Sequence, residues 1–321
     1  MTKLNADQIK SFKTQSINGV SIWLWLLSAI ACLALLISLT PRANDSPEVS
    51  NSDQASVIVD NDITPPGLPV ITASNAIVYD QNKDRVIFDK NATKIYPIAS
   101  ISKLITIITA LELLDNEQLI TIQQDDLNIE GDSGLVLGEV WAIEDLATFT
   151  LITSSNDGAQ ALASTTSIIE GRPFSELMKE TANKIGLSDE TRWSNPTGLD
   201  TVDGSVASNY ATATDIVSTL IYFNQNFSNI AEQSSAHSKV FNTNLKSHFA
   251  RSTNRIAGDI PHTVSAKTGF TYVSGGNLAI TATVGPARPV YIVVLGSTYD
   301  ARFSDVASLY DYAQEVIQLE S

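Results

Sequence analysis

The chain is poor in cysteine, in histidine and in positive charge. Its 321 residues include one cysteine, Cys32, and three histidines, His237, His248 and His262. A lone cysteine excludes an intrachain disulfide framework and any zinc site built on cysteine pairs, and the scattered histidines show no ligand spacing. Lysine and arginine number 20 against 35 acidic residues, a formal net charge of −15. So acidic a chain argues against a nucleic-acid partner, which would be held mainly through its phosphates. No internal repeat is present, and the 43% hydrophobic content is that of a globular protein.

Charge is absent altogether from Val20 to Leu39 (VSIWLWLLSAIACLALLISL). As a helix rising about 1.5 Å per residue, this run would cross about 30 Å, the hydrocarbon thickness of a bilayer. Trp23 and Trp25 lie toward its lysine-flanked end, as interfacial aromatics do, and Lys3, Lys10 and Lys13 outweigh Asp7 before it. The expectation is therefore a single-pass signal anchor over 20–39, with residues 1–19 cytoplasmic and the remainder extracytoplasmic. A cleaved signal peptide would have a shorter apolar region and a small-x-small cleavage site, for which Pro41-Arg42-Ala43 is a poor candidate. Residues 40–70 hold five of the eleven prolines and an acidic excess. That composition cannot bury enough apolar surface to offset chain entropy, so a disordered linker is expected there and a folded body over 71–321.

In the body, Asn75 to Asp80 and Asp84 to Asp89 are β-rich runs separated by a short polar turn, the pattern of a hairpin. From Ser100 the chain becomes apolar on nearly every side of a helical wheel, as in a helix buried within a domain. Residues 144–152, 158–169, 174–185 and 213–223 read as further helices. Thr263 to Lys267, Asn277 to Val284 and Val290 to Ser297 read as strands, and apolar residues from Val306 to Ile317 repeat as an amphipathic closing helix. The expected architecture is α+β: one antiparallel sheet assembled from both chain ends, flanked by helices, with a mainly helical subdomain between.

Three polar sites carry the chemistry. Ser100-Ile101-Ser102-Lys103 stands at the start of the buried helix. Positions three apart share a helical face, so the serine lies within reach of the amine, and burial lowers a lysine pKa toward the range of a general base. Alone, the tetrapeptide is too short to be specific and reads more readily as an N-capping serine followed by a surface lysine. Thr153-Ser154-Ser155-Asn156-Asp157 is an abrupt polar run between helical segments, alone an interhelical turn with a cap. In Ser265-Ala266-Lys267-Thr268-Gly269-Phe270-Thr271 a strand presents a lysine and a threonine, and the glycine would let a ligand backbone come close to the strand edge.

Together and in this order, the three sites resemble the motifs of active-site serine penicillin-recognising enzymes. The chain resembles in particular the D-alanyl-D-alanine carboxypeptidases, the low-molecular-mass penicillin-binding proteins. The likeness extends through Gly138-Glu139, Asn195-Pro196-Thr197-Gly198-Leu199, Asn242-Thr243-Asn244 and Arg302-Phe303. It implies the β-lactamase/transpeptidase-like fold and a serine peptidase acting on peptidoglycan stem peptides that end in D-Ala-D-Ala, with β-lactams as covalent inhibitors. Ser100 would be the nucleophile, Lys103 its general base, Ser154 a proton relay and Asn156 a holder of the peptide amide. Lys267, Thr268 and Arg302 would receive the terminal carboxylate beside Gly269. The backbone N–H groups of Ser100 and Phe270 would form the oxyanion hole. No metal or organic cofactor is required by that mechanism.

Many relatives carry a second β-rich domain and a C-terminal amphipathic anchor, whereas the 52 residues after Gly269 are expected to finish the sheet and one helix; Ser155 stands where glycine or alanine is common, a change expected to matter little. A class A β-lactamase shares the motif order, but no Glu-x-x-Leu-Asn stands between Ser154 and Lys267. A non-catalytic peptidoglycan-binding module would have no need of the full polar set. Endopeptidase action on peptidoglycan cross-links uses the same residues as carboxypeptidase action.

Overall fold

The computed structural model describes residues 66–285 and 287–320. The expected anchor over 20–39 and linker up to residue 65 lie outside these. Pro66 to Val70, the end of the expected linker, have no regular structure. Among the described residues no helix is long and apolar enough to cross a membrane.

The expected hairpin forms as β1 (Asn75–Asp80) and β2 (Arg85–Lys90). Four short strands follow, β3 (Tyr96–Pro97), β4 (Leu119–Thr121), β5 (Val140–Ala142) and β6 (Tyr210–Ala211), which pair as β3 with β6 and β4 with β5. Three strands from the far end of the chain complete the main sheet: β9 (Thr263–Thr271), β10 (Gly275–Val284) and β11 (Arg288–Ser297), in the antiparallel order β2-β1-β11-β10-β9. Val290 to Leu295 are continuously buried, because this central strand is covered on both faces and has no solvent side to alternate with. Side chains of β11 alternate between two cores. Tyr291, Val293 and Leu295 pack into the larger one with the helices. Val290, Ile292 and Val294 pack into a smaller one under the closing helix, Ala301–Gln318.

The larger core surrounds α1 (Lys103–Leu113), which is buried from Lys103 to Leu111. Around it lie α2 (Ile143–Thr153), α3 (Asn156–Glu170), α4 (Phe174–Ile185) and α5 (Ala213–Asn226). Each agrees with the sequence expectation to within a few residues, and a capping box between Thr212 and Asp215 sets the start of α5.

Two elements carry no strong sequence signal: α6 (Ser228–Ser234), and the hairpin of β7 (Ser238–Asn242) and β8 (Ser247–Arg251). Only one face of the hairpin is covered, through Phe241, His248 and Ala250, while Val240 and Phe249 face outward, so its residues do not alternate cleanly in polarity. It is tied down by a buried pair, His248 Nε2 to Glu139 Oε1 at 2.7 Å, amid Trp141, Phe149 and Phe241.

Candidate active site

Ser100 does not sit in the α-helix. It lies on a 3₁₀ turn, Ala99–Ser102, and α1 begins only at Lys103. The correction strengthens the expected contact, because residues three apart eclipse on a 3₁₀ turn. Lys103 Nζ lies 2.8 Å from Ser100 Oγ. The preceding Ala99 holds a left-handed φ of 46°, a conformation that costs of order 1–3 kcal/mol in a non-glycine residue and that the surrounding structure must impose.

That imposition is visible at two glycines. A Cβ on Gly198, whose φ is +79°, would meet the Ala99 carbonyl oxygen at 2.1 Å, and one on Gly269 would meet the Ile98 carbonyl oxygen at 2.8 Å. The 3₁₀ turn is therefore clasped between the Asn195–Gly198 loop and the edge strand β9. The close approach that Gly269 permits is thus made by the chain's own turn, not by a ligand backbone.

The loop also supplies a ligand for Lys103. Asn195 Oδ1 accepts from the Gly198 N–H at 2.7 Å and from the Thr197 N–H at 3.2 Å, an Asx-type turn. It aims the Thr197 carbonyl at Lys103 Nζ, 2.6 Å away. Asn156 Oδ1 accepts from the same Nζ at 2.7 Å, while its Nδ2 donates to the Glu130 carbonyl at 2.7 Å. Lys103 is fully buried. Burial takes its pKa down to about 7, against the opposing charge of nearby Asp157. At that value a neutral amine is well populated. Two carbonyl oxygens, of Thr197 and the Asn156 side chain, can hold its two hydrogens, leaving the lone pair for the Ser100 hydroxyl.

The Ser154–Asp157 turn joins α2 to α3. Ser154 adopts a left-handed φ of 60° at the end of α2, and Ser155 caps α3 by accepting from the Gly158 N–H at 2.8 Å. Ser155 also shares a 2.5 Å hydrogen bond with Ser133, so the serine expected to matter little is part of the scaffold. The turn sends Ser154 toward β9, where Lys267 Nζ donates to Ser154 Oγ at 2.8 Å and to the Thr268 carbonyl at 2.7 Å. Lys267 is buried as deeply as Lys103. Desolvation, followed by the repulsion of Lys103 and Arg302, holds its pKa well below the ordinary value.

Thr268 Oγ1 is 2.6 Å from Thr253 Oγ1. Arg302 donates from Nη1 to the Gly269 carbonyl at 2.8 Å, and its guanidinium packs on Tyr299 and Phe303. Ser100, Ser154, Thr268, Gly269, Phe270 and Arg302 line one cavity of about 500 Å³. The Thr268 carbonyl points off the outer edge of β9 toward Lys267. Phe270, two residues on, presents its backbone N–H to the same edge, since strand backbone groups alternate with period two. The Ser100 N–H opens its 3₁₀ turn, where no preceding turn supplies an acceptor. All nine residues singled out in the sequence thus converge.

Three contributors were not legible as site residues: the Thr197 carbonyl, the carboxylate of Asp157, and Thr253 just past β8. The first two lay in segments already noted for their likeness, Asn195–Leu199 and Thr153–Asp157, and only Thr253 lay outside them. Among the described residues no group of three or more His, Cys, Asp or Glu is disposed to hold a metal.

A family model described as D-alanyl-D-alanine carboxypeptidase matches residues 62–298. The chain is 26% identical over 248 residues to a D-alanyl-D-alanine carboxypeptidase of Bacillus subtilis, covering 75% of this chain and 62% of that protein. It is 29% identical over 240 residues to a D-alanyl-D-alanine endopeptidase of Pseudomonas aeruginosa, covering 71% and 74% respectively. Among solved structures, a penicillin-binding protein of Listeria monocytogenes in its ampicillin-bound form is similar with a TM-score of 0.66 at 28% identity, over 77% of this chain and 98% of that one.

Proposed function

The chain belongs to the D-alanyl-D-alanine carboxypeptidase family, and from that premise we propose that it is a membrane-anchored serine D,D-carboxypeptidase acting on peptidoglycan stem peptides. The observation that carries this reading is the buried Lys103 amine, 2.8 Å from Ser100 Oγ and with a pKa near the working range of a general base.

In the proposed reaction Ser100 Oγ attacks the carbonyl carbon of the terminal D-Ala-D-Ala bond while its proton passes to Lys103 Nζ. The developing oxyanion is met by the Ser100 and Phe270 N–H groups, where one such donor is worth about 2.7–4 kcal/mol in the transition state. Ser154, hydrogen-bonded to Lys267, relays a proton to the leaving amine, and the carbon–nitrogen bond breaks. Water then hydrolyses the ester on Ser100, returning the serine proton. Asn156 holds the substrate amide, and Lys267, Thr268 and Arg302 receive the terminal carboxylate.

The body from Ile71 onward is the catalytic unit in this reading, and the uncharged run over 20–39 is its anchor, with the catalytic unit outside the cytoplasm. β-Lactams would acylate the same serine. Endopeptidase action is the second reading, favoured by a cavity roomier than one alanine requires.

Labelled penicillin tests the chemistry. Covalent label on the wild-type chain that is lost in Ser100→Ala is the expected result; label retained in Ser100→Ala overturns it. The anchor is tested by N-terminal sequencing of the cell-associated protein, which should begin before residue 20 and not near Asn44.

A further inference from the structure

The cavity at Ser100 runs past the groups used by the proposed reaction. A leaving alanine, only a few times the roughly 30 Å³ share of one water, fills a fraction of its 500 Å³. Beyond Thr268 and Arg302 the wall includes His237, Arg251 and Arg255, and among the described residues no carboxylate side chain lines it.

Arg255 is already committed: its Nη1 is 2.6 Å from Asp300, and its guanidinium lies 5.0 Å from the centre of the Tyr299 ring. Arg251 is exposed and has no ion pair among the described residues. The backbone carrying it is nonetheless well held. Arg251 pairs with Ser238 across the hairpin, and the Ser252 N–H donates to the His237 carbonyl at 2.9 Å. The Thr253 N–H donates to the Ile152 carbonyl at 3.1 Å, and Thr253 Oγ1 meets Thr268. An exposed cation on a well-held backbone, without an ion pair among the described residues, therefore stands two residues from a side chain that touches the carboxylate-receiving strand, in a chain whose net charge is −15.

The opposite direction has the opposite sign. Beyond Phe270, which lines both spaces, a second groove of about 780 Å³ includes Glu130 and Asp200 in its lining and, among the described residues, no lysine or arginine. The cleft is thus polarised along its length, with its positive end on the leaving-group side.

We infer that Arg251, with His237 beside it, is a specificity determinant for the leaving group. It raises the cleavage of a cross-linked stem peptide whose leaving amine belongs to an acidic second stem with a further carboxylate, relative to release of D-alanine alone, above what the chain would show without it. This rests on the proposed acylation of Ser100 and alters none of its bonds: the serine ester forms, the carbon–nitrogen bond breaks, the amine takes the proton, and only the size and charge of that amine differ.

The test uses the detergent-solubilised full chain and three substrates: a monomeric stem ending in D-Ala-D-Ala, a cross-linked dimer with free carboxyls on the leaving stem, and the same dimer with those carboxyls amidated. Arg251→Gln should lower the dimer-to-monomer ratio of kcat/KM about tenfold, Arg251→Lys should restore most of it, and the amidated dimer should be cleaved equally by wild type and Arg251→Gln. An unchanged ratio in Arg251→Gln, or amidation without effect on the wild type, overturns the inference. Penicillin labelling without any dimer cleavage sinks the inference and leaves the acylation reading standing, whereas absence of labelling sinks that reading itself.

Discussion

The helical wall of the cleft and its strand wall each bury a lysine, and they surround it differently. Lys103, at the start of α1, is met by a hydroxyl and two carbonyl oxygens, with the carboxylate of Asp157 near enough to oppose desolvation. Lys267, on β9, is met by a hydroxyl and one carbonyl, and its nearest charges are cations. Each amine adjoins a serine, but the first environment suits a group that gives and takes a proton. The second, with cations and no acid near it, disfavours the charged amine until a carboxylate arrives at that wall to supply the missing counter-ion. Two side chains of one type acquire distinct roles from their neighbours alone.

Removing each lysine separates these roles. Lys103→Ala should lower the penicillin acylation rate by about 10²–10⁴-fold, the usual contribution of a positioned general base; wild-type rates in that variant would reassign the base. Lys267→Ala should cost about 1.5–3 kcal/mol, the worth of a hydrogen bond to a charged group, seen as roughly a 10–100-fold loss of kcat/KM on carboxylate-bearing peptides. A peptide with its terminal carboxyl amidated should discriminate far less between that variant and wild type. An equal loss on both peptides would move Lys267 into the proton-transfer machinery.

The pH profile sharpens the contrast further. Since Lys103 acts as the neutral amine, the wild-type acylation rate should rise with pH through a midpoint of about 7 and fall about tenfold per unit below it. A rate independent of pH between 5.5 and 8.5 would exclude that assignment.

Stability gives the smallest effect. The folded-state pKa of Lys103 lies below its unfolded value of 10.5, so the folded chain binds fewer protons between about 7 and 10.5. Its stability therefore increases with pH across that window, and the cost of burying the charge is fully present below about 7. Lys103→Met should accordingly raise the melting temperature relative to wild type more at pH 6 than at pH 9, and the reverse ordering would contradict the assigned direction.

Much of this was legible in the chain. The strands at both ends follow from β-branched runs and the central helices from period and caps, both of which are local. Ser100 and Lys103 were legible as a pair because three residues of spacing suffice to bring them together in either helical form. The hairpin from Ser238 to Arg251 was not, since it is stabilised by Glu139, about a hundred residues earlier, more than by its own pattern. Nor did sequence reveal that Gly269 makes room for the Ile98 carbonyl, or that Ser155 is bound to Ser133.

By itself, then, the sequence determined which chemical groups are available and the order in which they arrive, because residue type, spacing and periodicity are properties of the chain. Only the tertiary structure decided what each group can do. Taking an amine out of water, choosing which oxygens surround it and setting Arg251 beside a cavity whose described lining holds no acid all depend on segments far apart in sequence, and pKa and field are set by what is near in space.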